Sequence, residues 1–102
     1  MQALIQQHRD AIDEICRRHN VKRLEVFGSA ARDDFDAQTS DVDFFVEFIS
    51  YDSPHIADDW FGLHEELSRT LARPVDLVVP SAVRNQRFLD HARRTAITVY
   101  AN

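Results

Sequence analysis

Leu-Glu-Val-Phe-Gly-Ser at residues 24–29 and Ser-Asp-Val-Asp-Phe-Phe-Val-Glu-Phe at residues 40–48 are the two stretches of this chain that decide its fold. The second stretch alternates with the period of a β-strand, so the even-numbered positions from Val42 to Phe48 form an apolar face. The odd-numbered positions form the opposite face, which carries Asp41 and Asp43. Two carboxylates therefore point to the same side of a strand.

The first stretch predicts a short apolar strand over residues 24–27 that ends in Gly28-Ser29, followed by a short helix over residues 30–34. Glycine at such a junction lets a phosphate approach the backbone, and the amides of the following turn can bind it. The pattern therefore predicts a phosphate site at the end of this strand.

A third acidic residue, Asp76, lies in the apolar run Pro-Val-Asp-Leu-Val-Val of residues 74–79. A charged side chain in such a strand is costly unless it is paired or bound to a metal. Asp41 and Asp43 repel each other unless a cation lies between them, and Mg²⁺ suits them because it binds through one or two carboxylates together with water and phosphate oxygens. The sequence therefore indicates a nucleotide-phosphate and metal site.

This order of motifs resembles that of the nucleotidyltransferase superfamily, which includes DNA polymerase beta and the aminoglycoside nucleotidyltransferases. The recurring pattern is Gly-Ser, roughly ten residues, Asp-x-Asp, and an acidic residue on a later strand. Gly28-Ser29, the pair Asp41 and Asp43, and Asp76 match it. The resemblance is closest to the single-domain branch called MNT (minimal nucleotidyltransferase), many of which act as antitoxins beside HEPN-type toxins, and it covers most of the chain.

The resemblance implies a role for each matching residue. The catalytic carboxylates, which would also be the ligands of two Mg²⁺ ions, are Asp41, Asp43 and Asp76. The residues expected to bind the nucleotide donor, ATP, are Gly28, Ser29, Arg32 and Ser40. Arg32 has an equally good interpretation as an exposed helix arginine paired with Asp36.

The chain departs from the MNT pattern at two places. Eleven residues separate Ser29 from Asp41, where the commonest antitoxin spacing is shorter by a single residue. Asp33 follows Arg32, where this branch often has glycine, and an extra negative charge there would weaken nucleotide binding.

Composition predicts a single domain over residues 1–102 with a modest core. The net charge of −5 argues against free nucleic acid as the main ligand and favours a partner with a basic surface. The sequence has no apolar run of the roughly 18 residues that a membrane helix needs, and no signal peptide is visible after Met1. Cys16 is the only cysteine, which excludes an internal disulfide and favours a reducing, cytoplasmic setting.

Hydrophobic periodicity predicts the order α-β-α-β-α-β-α, an α/β (α+β) fold with a small mixed sheet. The helices are expected on one face of the sheet, which leaves the carboxylate face open. The second long helix spans Ile56 to Leu71, with Trp60 and Phe61 expected in core packing, and Ser81 is the expected cap of the last helix. The tail, residues 96–100, is expected to be extended and to pack against the sheet or a partner.

Chain length then separates the members of the superfamily. Polymerases and drug-modifying relatives carry an additional domain for the template or acceptor, and 102 residues leave no room for one. The resemblance therefore implies that the acceptor is another chain. The expected function is that of a Mg²⁺-dependent antitoxin that transfers AMP from ATP to a hydroxyl, that of a tyrosine, on a HEPN-type toxin encoded by the neighbouring gene, in a hetero-oligomer.

Two other functions remain open from the sequence. In the first, the chain neutralises the toxin by binding alone and its nucleotide pocket is vestigial. Asp33 and the longer loop between Ser29 and Asp41 favour this function. Retention of three carboxylates argues against it, because an unneeded acidic cluster costs stability. The third function is a catalytic subunit that modifies a small molecule together with a separate helical chain.

Overall fold

The computed structural model describes residues 3–31 and 41–102, except for the side chain of Ser29. The helices are α1 (Ala3–Gln7), α2 (Arg9–Arg18), α3 (Ile56–Leu71) and α4 (Gln86–Arg93). The strands are β1 (Val21–Phe27), β2 (Val42–Phe48), β3 (Val75–Val78) and β4 (Ile97–Ala101). Short 3₁₀ turns follow β1 at Gly28–Ala30 and β3 at Pro80–Ala82.

The strands form a four-stranded mixed sheet in the order β3-β2-β1-β4. β1 pairs antiparallel with both β2 and β4, whereas β2 and β3 are parallel. Parallel neighbours need a crossover connection, and α3 provides it here. The expected α/β fold with a small mixed sheet is therefore confirmed.

The larger part of the core lies between α2, α3 and one face of the sheet. The even-numbered residues of β2, from Val42 to Phe48, are all buried on this face, as the alternation predicts. α3 buries Leu63, Leu67 and Leu71 at helical spacing against it. Removing this apolar surface from water is the main stabilising contribution to the fold.

Helices occupy both faces of the sheet, so the prediction that they lie on one face only is wrong. α4 packs Leu89 and Ala92 against Phe27 and Phe45 on the carboxylate side, where they form a second small core. The physical reason is Phe45, which is 1 % exposed although it shares a face of β2 with Asp43. A large aromatic side chain on that face needs an apolar cover, and α4 supplies it over this half of the sheet.

Two further sequence predictions are corrected. Ser81 does not cap the last helix: α4 begins at Gln86, and the side chain of Asn85 accepts a hydrogen bond from the backbone amide of Phe88. Phe61 is not a core residue, since it is 66 % exposed on the outer side of α3. Helical spacing explains this, because the buried stripe of α3 runs through Leu63 and its neighbours at i±4, which leaves Phe61 outside.

Cys16 is fully buried in the larger core. Burial, with a smaller contribution from the negative charge of Asp13, raises the pKa of its thiol to about 12. The side chain is therefore a packing residue and not a nucleophile. Over residues 3–31 and 41–102, no helix is both long and apolar enough to cross a membrane.

Candidate active site

Asp43 and Asp76 are brought side by side by the pairing of two strands. They are register partners in the parallel pair of β2 and β3, so both side chains project from the same face of the sheet. Phe27 of β1 is the partner of Asp43 on its other side. Neighbouring strands lie about 4.8 Å apart, which places the two carboxylates within reach of a shared ligand.

Gly28 approaches Asp43 closely, and a residue with a side chain there would be strained and would require the Asp43 carboxylate to shift. Its φ angle is +69°, a left-handed conformation, and a Cβ atom built on it would lie 2.7 Å from Oδ2 of Asp43. The turn continues with a hydrogen bond from the Ala31 amide to the Gly28 carbonyl at 3.1 Å. The turn at the end of β1 therefore lies directly against the Asp43 carboxylate, with no side chain between them.

The other predicted site residues are placed less completely. Asp41 immediately precedes β2 and is exposed. Arg32 and Ser40 lie outside the described residues, as does the side chain of Ser29. Within residues 3–31 and 41–102, no three histidine, cysteine, aspartate or glutamate side chains come close enough together to hold a metal ion.

The donor chemistry of the pair nevertheless suits magnesium. Mg²⁺ characteristically binds one or two carboxylates and takes its remaining oxygen ligands from water and substrate phosphates. Asp43 and Asp76 supply oxygen donors at paired positions, and the backbone turn at Gly28 lies beside Asp43 without a side chain between them. The residues present therefore fit a Mg²⁺–phosphate group.

A cavity of about 390 Å³ contains both carboxylates. Its lining residues come from three strands and two helices: Phe27, Asp43, Trp60, His64, the four residues of β3, and Phe88. A larger cavity of about 670 Å³ lies at the other end of β2, near Glu47, Tyr51 and Arg93. The smaller cavity is the candidate active site, because it holds the acidic pair and the larger one holds none of the three predicted carboxylates.

The cavity contains three aromatic residues that were not identified from the sequence as site residues: Phe27, Trp60 and Phe88. Phe88 is 40 % exposed, and its ring lies edge-on to the stacked rings of Phe27 and Phe45. Trp60 is half-buried and stacks in parallel on His64, with 5.5 Å between ring centroids. The only sequence signal was Phe88 beside Leu89 in an otherwise polar helix, one aromatic residue more than the buried stripe needs.

His64 connects α3 to the strand that carries Asp76. Its Nε2 atom lies 2.7 Å from the carbonyl oxygen of Val75, the residue before Asp76. The carbonyl can only accept, so His64 is the donor and carries its proton on Nε2 in this contact. This hydrogen bond connects α3 to β3, the edge strand next to the candidate site.

The profile of a family described as "Nucleotidyltransferase domain" matches residues 8–98. A relative from Methanocaldococcus jannaschii, named "Putative protein adenylyltransferase", is 34% identical over 82 residues, which are 80% of this chain and 76% of the relative. The match therefore extends over most of both chains.

Solved structures have the same fold. A structure described as that of a "putative minimal nucleotidyltransferase" superposes with a TM-score of 0.73 at 29% identity, covering 91% of this chain and 90% of the other. An MNT antitoxin in complex with a tri-AMPylated HEPN toxin from Shewanella oneidensis gives a TM-score of 0.65 at 16% identity, over 95% of this chain and 72% of the other. A toxin–antitoxin structure with AMP-PNP gives 0.68 at 16% identity, over 92% and 73%.

Proposed function

The chain belongs to the nucleotidyltransferase domain family and is a nucleotidyltransferase, and from this we propose that it is a Mg²⁺-dependent antitoxin that transfers AMP from ATP to a tyrosine hydroxyl of a HEPN-type toxin. The observation that carries the proposal is the row of Gly28, Asp43 and Asp76 across three neighbouring chain segments. It combines two carboxylates on one face of the sheet with a glycine turn directly beside one of them.

The choice of donor and partner is supported by the relatives. The curated relative is named for protein adenylylation, and structural neighbours are described as MNT antitoxins with HEPN toxins. The net charge of −5 suits a partner with a basic surface and disfavours a nucleic acid acceptor. The proposed assembly is a hetero-oligomer with the product of the neighbouring gene, in the reducing cytoplasm that a lone cysteine suits.

The residues of the site have separate roles in the proposed reaction. The acceptor oxygen attacks the α-phosphorus of ATP, the bond from this phosphorus to the bridging oxygen breaks, and pyrophosphate leaves with the electron pair. Asp76 takes the proton of the acceptor hydroxyl. The turn after Gly28, with Ser29, Arg32 and Ser40, binds the phosphates that leave.

Asp41 and Asp43, together with Asp76, are the proposed ligands of two Mg²⁺ ions. Bound Mg²⁺ would offset the negative charge that spreads over the transferred phosphate. Gly28 acts through its missing side chain, since any Cβ would occupy the space beside Oδ2 of Asp43. The exposed position of Asp41 before β2 leaves its carboxylate able to turn toward the same space.

The test is to mix the purified chain with the product of its neighbouring gene, Mg²⁺ and ATP, and to record the intact mass of the partner. We expect a gain of one or more AMP groups. Asp43→Asn should reduce the rate by about 100-fold or more, because it removes a charge that acts on the reacting phosphate.

The matched control is Glu47→Gln, which neutralises a carboxylate on the same face of β2 but outside the cavity. We expect it to retain transfer. If Asp43→Asn transferred AMP as fast as the wild type, the proposed site would be wrong.

Neutralisation by binding alone is the competing function, favoured by Asp33 and by the spacing between Ser29 and Asp41, which is one residue longer than the commonest antitoxin spacing. It predicts a tight complex whose partner never gains mass. Binding of ATP to the isolated chain in the presence of Mg²⁺ separates the two, because a vestigial pocket would not bind it. A small-molecule transferase would instead leave the partner unmodified while consuming ATP in the presence of its substrate.

A further inference from the structure

Asp76 lies on an edge strand of the sheet. β3 has four residues, and in the sheet order β3-β2-β1-β4 it pairs with β2 alone. The Pro74 carbonyl accepts a hydrogen bond from the Val42 amide at 3.0 Å and so points toward β2. Because successive carbonyls point to opposite sides of a strand, the Val75 carbonyl points to the outer edge. Short edge strands open more readily than the centre of a sheet, and such opening would displace Asp76 from Asp43.

His64 of α3 binds this outer edge. Its Nε2 atom donates a hydrogen bond to the Val75 carbonyl at 2.7 Å, in a partly buried position. The bond attaches the residue before Asp76 to a 16-residue helix whose other side is buried in the larger core. β3 is therefore held from the side opposite to β2.

Trp60 orients the imidazole ring that makes this bond. It lies one helical turn before His64 on α3, and the two rings stack with 5.5 Å between centroids and 5° between planes. Both side chains line the 390 Å³ cavity together with Asp43 and Asp76. Because the imidazole would lose its contact with Trp60 if it turned away from β3, the helix presents an oriented donor to the strand.

We propose that His64 is a positioning residue of the transferase site, because its bond to the Val75 carbonyl holds Asp76 beside Asp43 for binding of a shared cation. Removal of groups that orient metal ligands typically lowers metal affinity or activity by about 10- to 100-fold. His64 binds the backbone next to a proposed ligand rather than the carboxylate itself, so we expect the lower end of this range. The inference rests on the proposed function for the role of Asp76.

Two substitutions of His64 separate the donor from the ring. The amide nitrogen of glutamine reaches about as far as Nε2 and can donate to the Val75 carbonyl, whereas leucine has no donor. Arg9→Leu is the matched control, because Arg9 donates a hydrogen bond to the Val99 carbonyl of β4, the other edge strand, at 3.2 Å. It removes a side-chain donor from a strand that carries none of the proposed carboxylates.

The first experiment measures amide hydrogen exchange along the chain by mass spectrometry. We expect exchange in β3 to be about 2- to 10-fold faster in His64→Leu, the value of one hydrogen bond, and to return toward the wild-type rate in His64→Gln. Arg9→Leu should instead accelerate exchange in β4. Unchanged exchange of β3 in His64→Leu would overturn the proposal.

The second experiment measures cation binding without catalysis. Mn²⁺ takes the same carboxylate and water oxygens as Mg²⁺, and electron paramagnetic resonance reports its free concentration. We expect His64→Leu to weaken Mn²⁺ binding by about 10-fold, while Arg9→Leu and His64→Gln bind it nearly as the wild type does. In an Asp76→Asn background, His64→Leu should have no further effect, because both changes act on one ligand. Equal binding by the wild type and His64→Leu would contradict the proposal, as would a wild-type chain that binds no Mn²⁺.

The third experiment measures AMP transfer to the partner per folded molecule. His64→Leu should lower kcat by about 10-fold and leave the KM for ATP unchanged, because the proposed phosphate site is the turn after Gly28. His64→Gln should recover most of the rate. Equal losses in His64→Leu and Arg9→Leu would mean that His64 acts through stability alone, and the proposal would be wrong. If the wild type transferred no AMP, the proposed function would fail, and hydrogen exchange and Mn²⁺ binding would still decide the role of His64.

Discussion

At the scale of single residues, Gly28 links the fold to the chemistry. Its positive φ and the 2.7 Å separation that any Cβ would have from Asp43 are two independent reasons for glycine. A left-handed conformation costs an ordinary residue about 1–2 kcal/mol, and the steric contact adds to this. Sequence alone indicated glycine at this turn, but the neighbour that excludes a side chain became known only from strand pairing.

We therefore expect Gly28→Ala to lower the free energy of unfolding by about 1–3 kcal/mol and to abolish most AMP transfer. Urea denaturation and the partner's intact mass measure the two effects. Gly62→Ala is the control: its Cβ would lie 2.5 Å from Cε1 of His19, away from the carboxylates. It should affect stability while activity per folded molecule is kept, and equal activity losses in both variants would show that Gly28 has no special role at the site.

At the scale of secondary structure elements, α2 and α3 are joined by charged side chains. Glu66 of α3 contacts both Arg18 and the ring of His19 at the end of α2. The hydrogen bond from His19 is the main reason why the pKa of the Glu66 carboxyl lies below its usual value of 4.5. Burial opposes this effect, whereas the hydrogen bond from Arg18 and the positive charges of His19 and Arg18 add to it. A carboxyl with a lowered folded pKa stabilises the protein above its unfolded pKa, and this contribution is lost as the pH falls through the folded pKa.

Glu66→Gln should therefore destabilise the protein at pH about 7, and the difference from wild type should shrink below pH about 4 as Glu66 protonates. Urea denaturation across this range measures it. Glu65→Gln is the control, because Glu65 forms an exposed pair with Arg69 within α3 at 2.6 Å and such pairs contribute little. A pH-independent effect of Glu66→Gln would show that charge does not join the two helices.

The first residue of α4 could not be predicted from the sequence. Both Ser81 and Asn85 are good caps, and the sequence does not distinguish them. Tertiary structure does: Pro80–Ala82 forms a 3₁₀ turn, and the cap is Asn85, whose side chain binds the amide of Phe88. In the helix that begins at Gln86, Leu89 lies in the small core and Phe88 lines the cavity that holds the acidic pair.

At the scale of the whole molecule, the tail completes the sheet. β4 pairs with β1, and Val99 and Tyr100 are buried against the larger core. Arg9 of α2 donates a hydrogen bond to the Val99 carbonyl at 3.2 Å, which connects the first and last parts of the chain. Without β4 the central strand β1 would have an open edge, a common route to aggregation.

We expect Val99→Asp to prevent cooperative folding, because an unpaired buried carboxylate costs several kcal/mol against a total stability of about 5–15 kcal/mol. Thermal denaturation and size-exclusion chromatography measure it. Thr98→Asp places the same charge on the opposite face of β4, next to Arg23, which already donates a hydrogen bond to Thr98. This variant should fold normally, and comparable damage from both would contradict the assigned faces of β4.

The sequence by itself determined the strands, the buried stripes of the helices and the glycine turn, because these depend on periods of 2 and 3.6 residues and on local backbone chemistry. Tertiary structure alone decided that Asp76 pairs with Asp43, that β4 lies beside β1, and that α4 covers half of the carboxylate face. These arrangements join residues far apart in the chain, and local periodicity carries no information about which strands pair. The aromatic cavity beside Asp76 exists only as a result of that pairing.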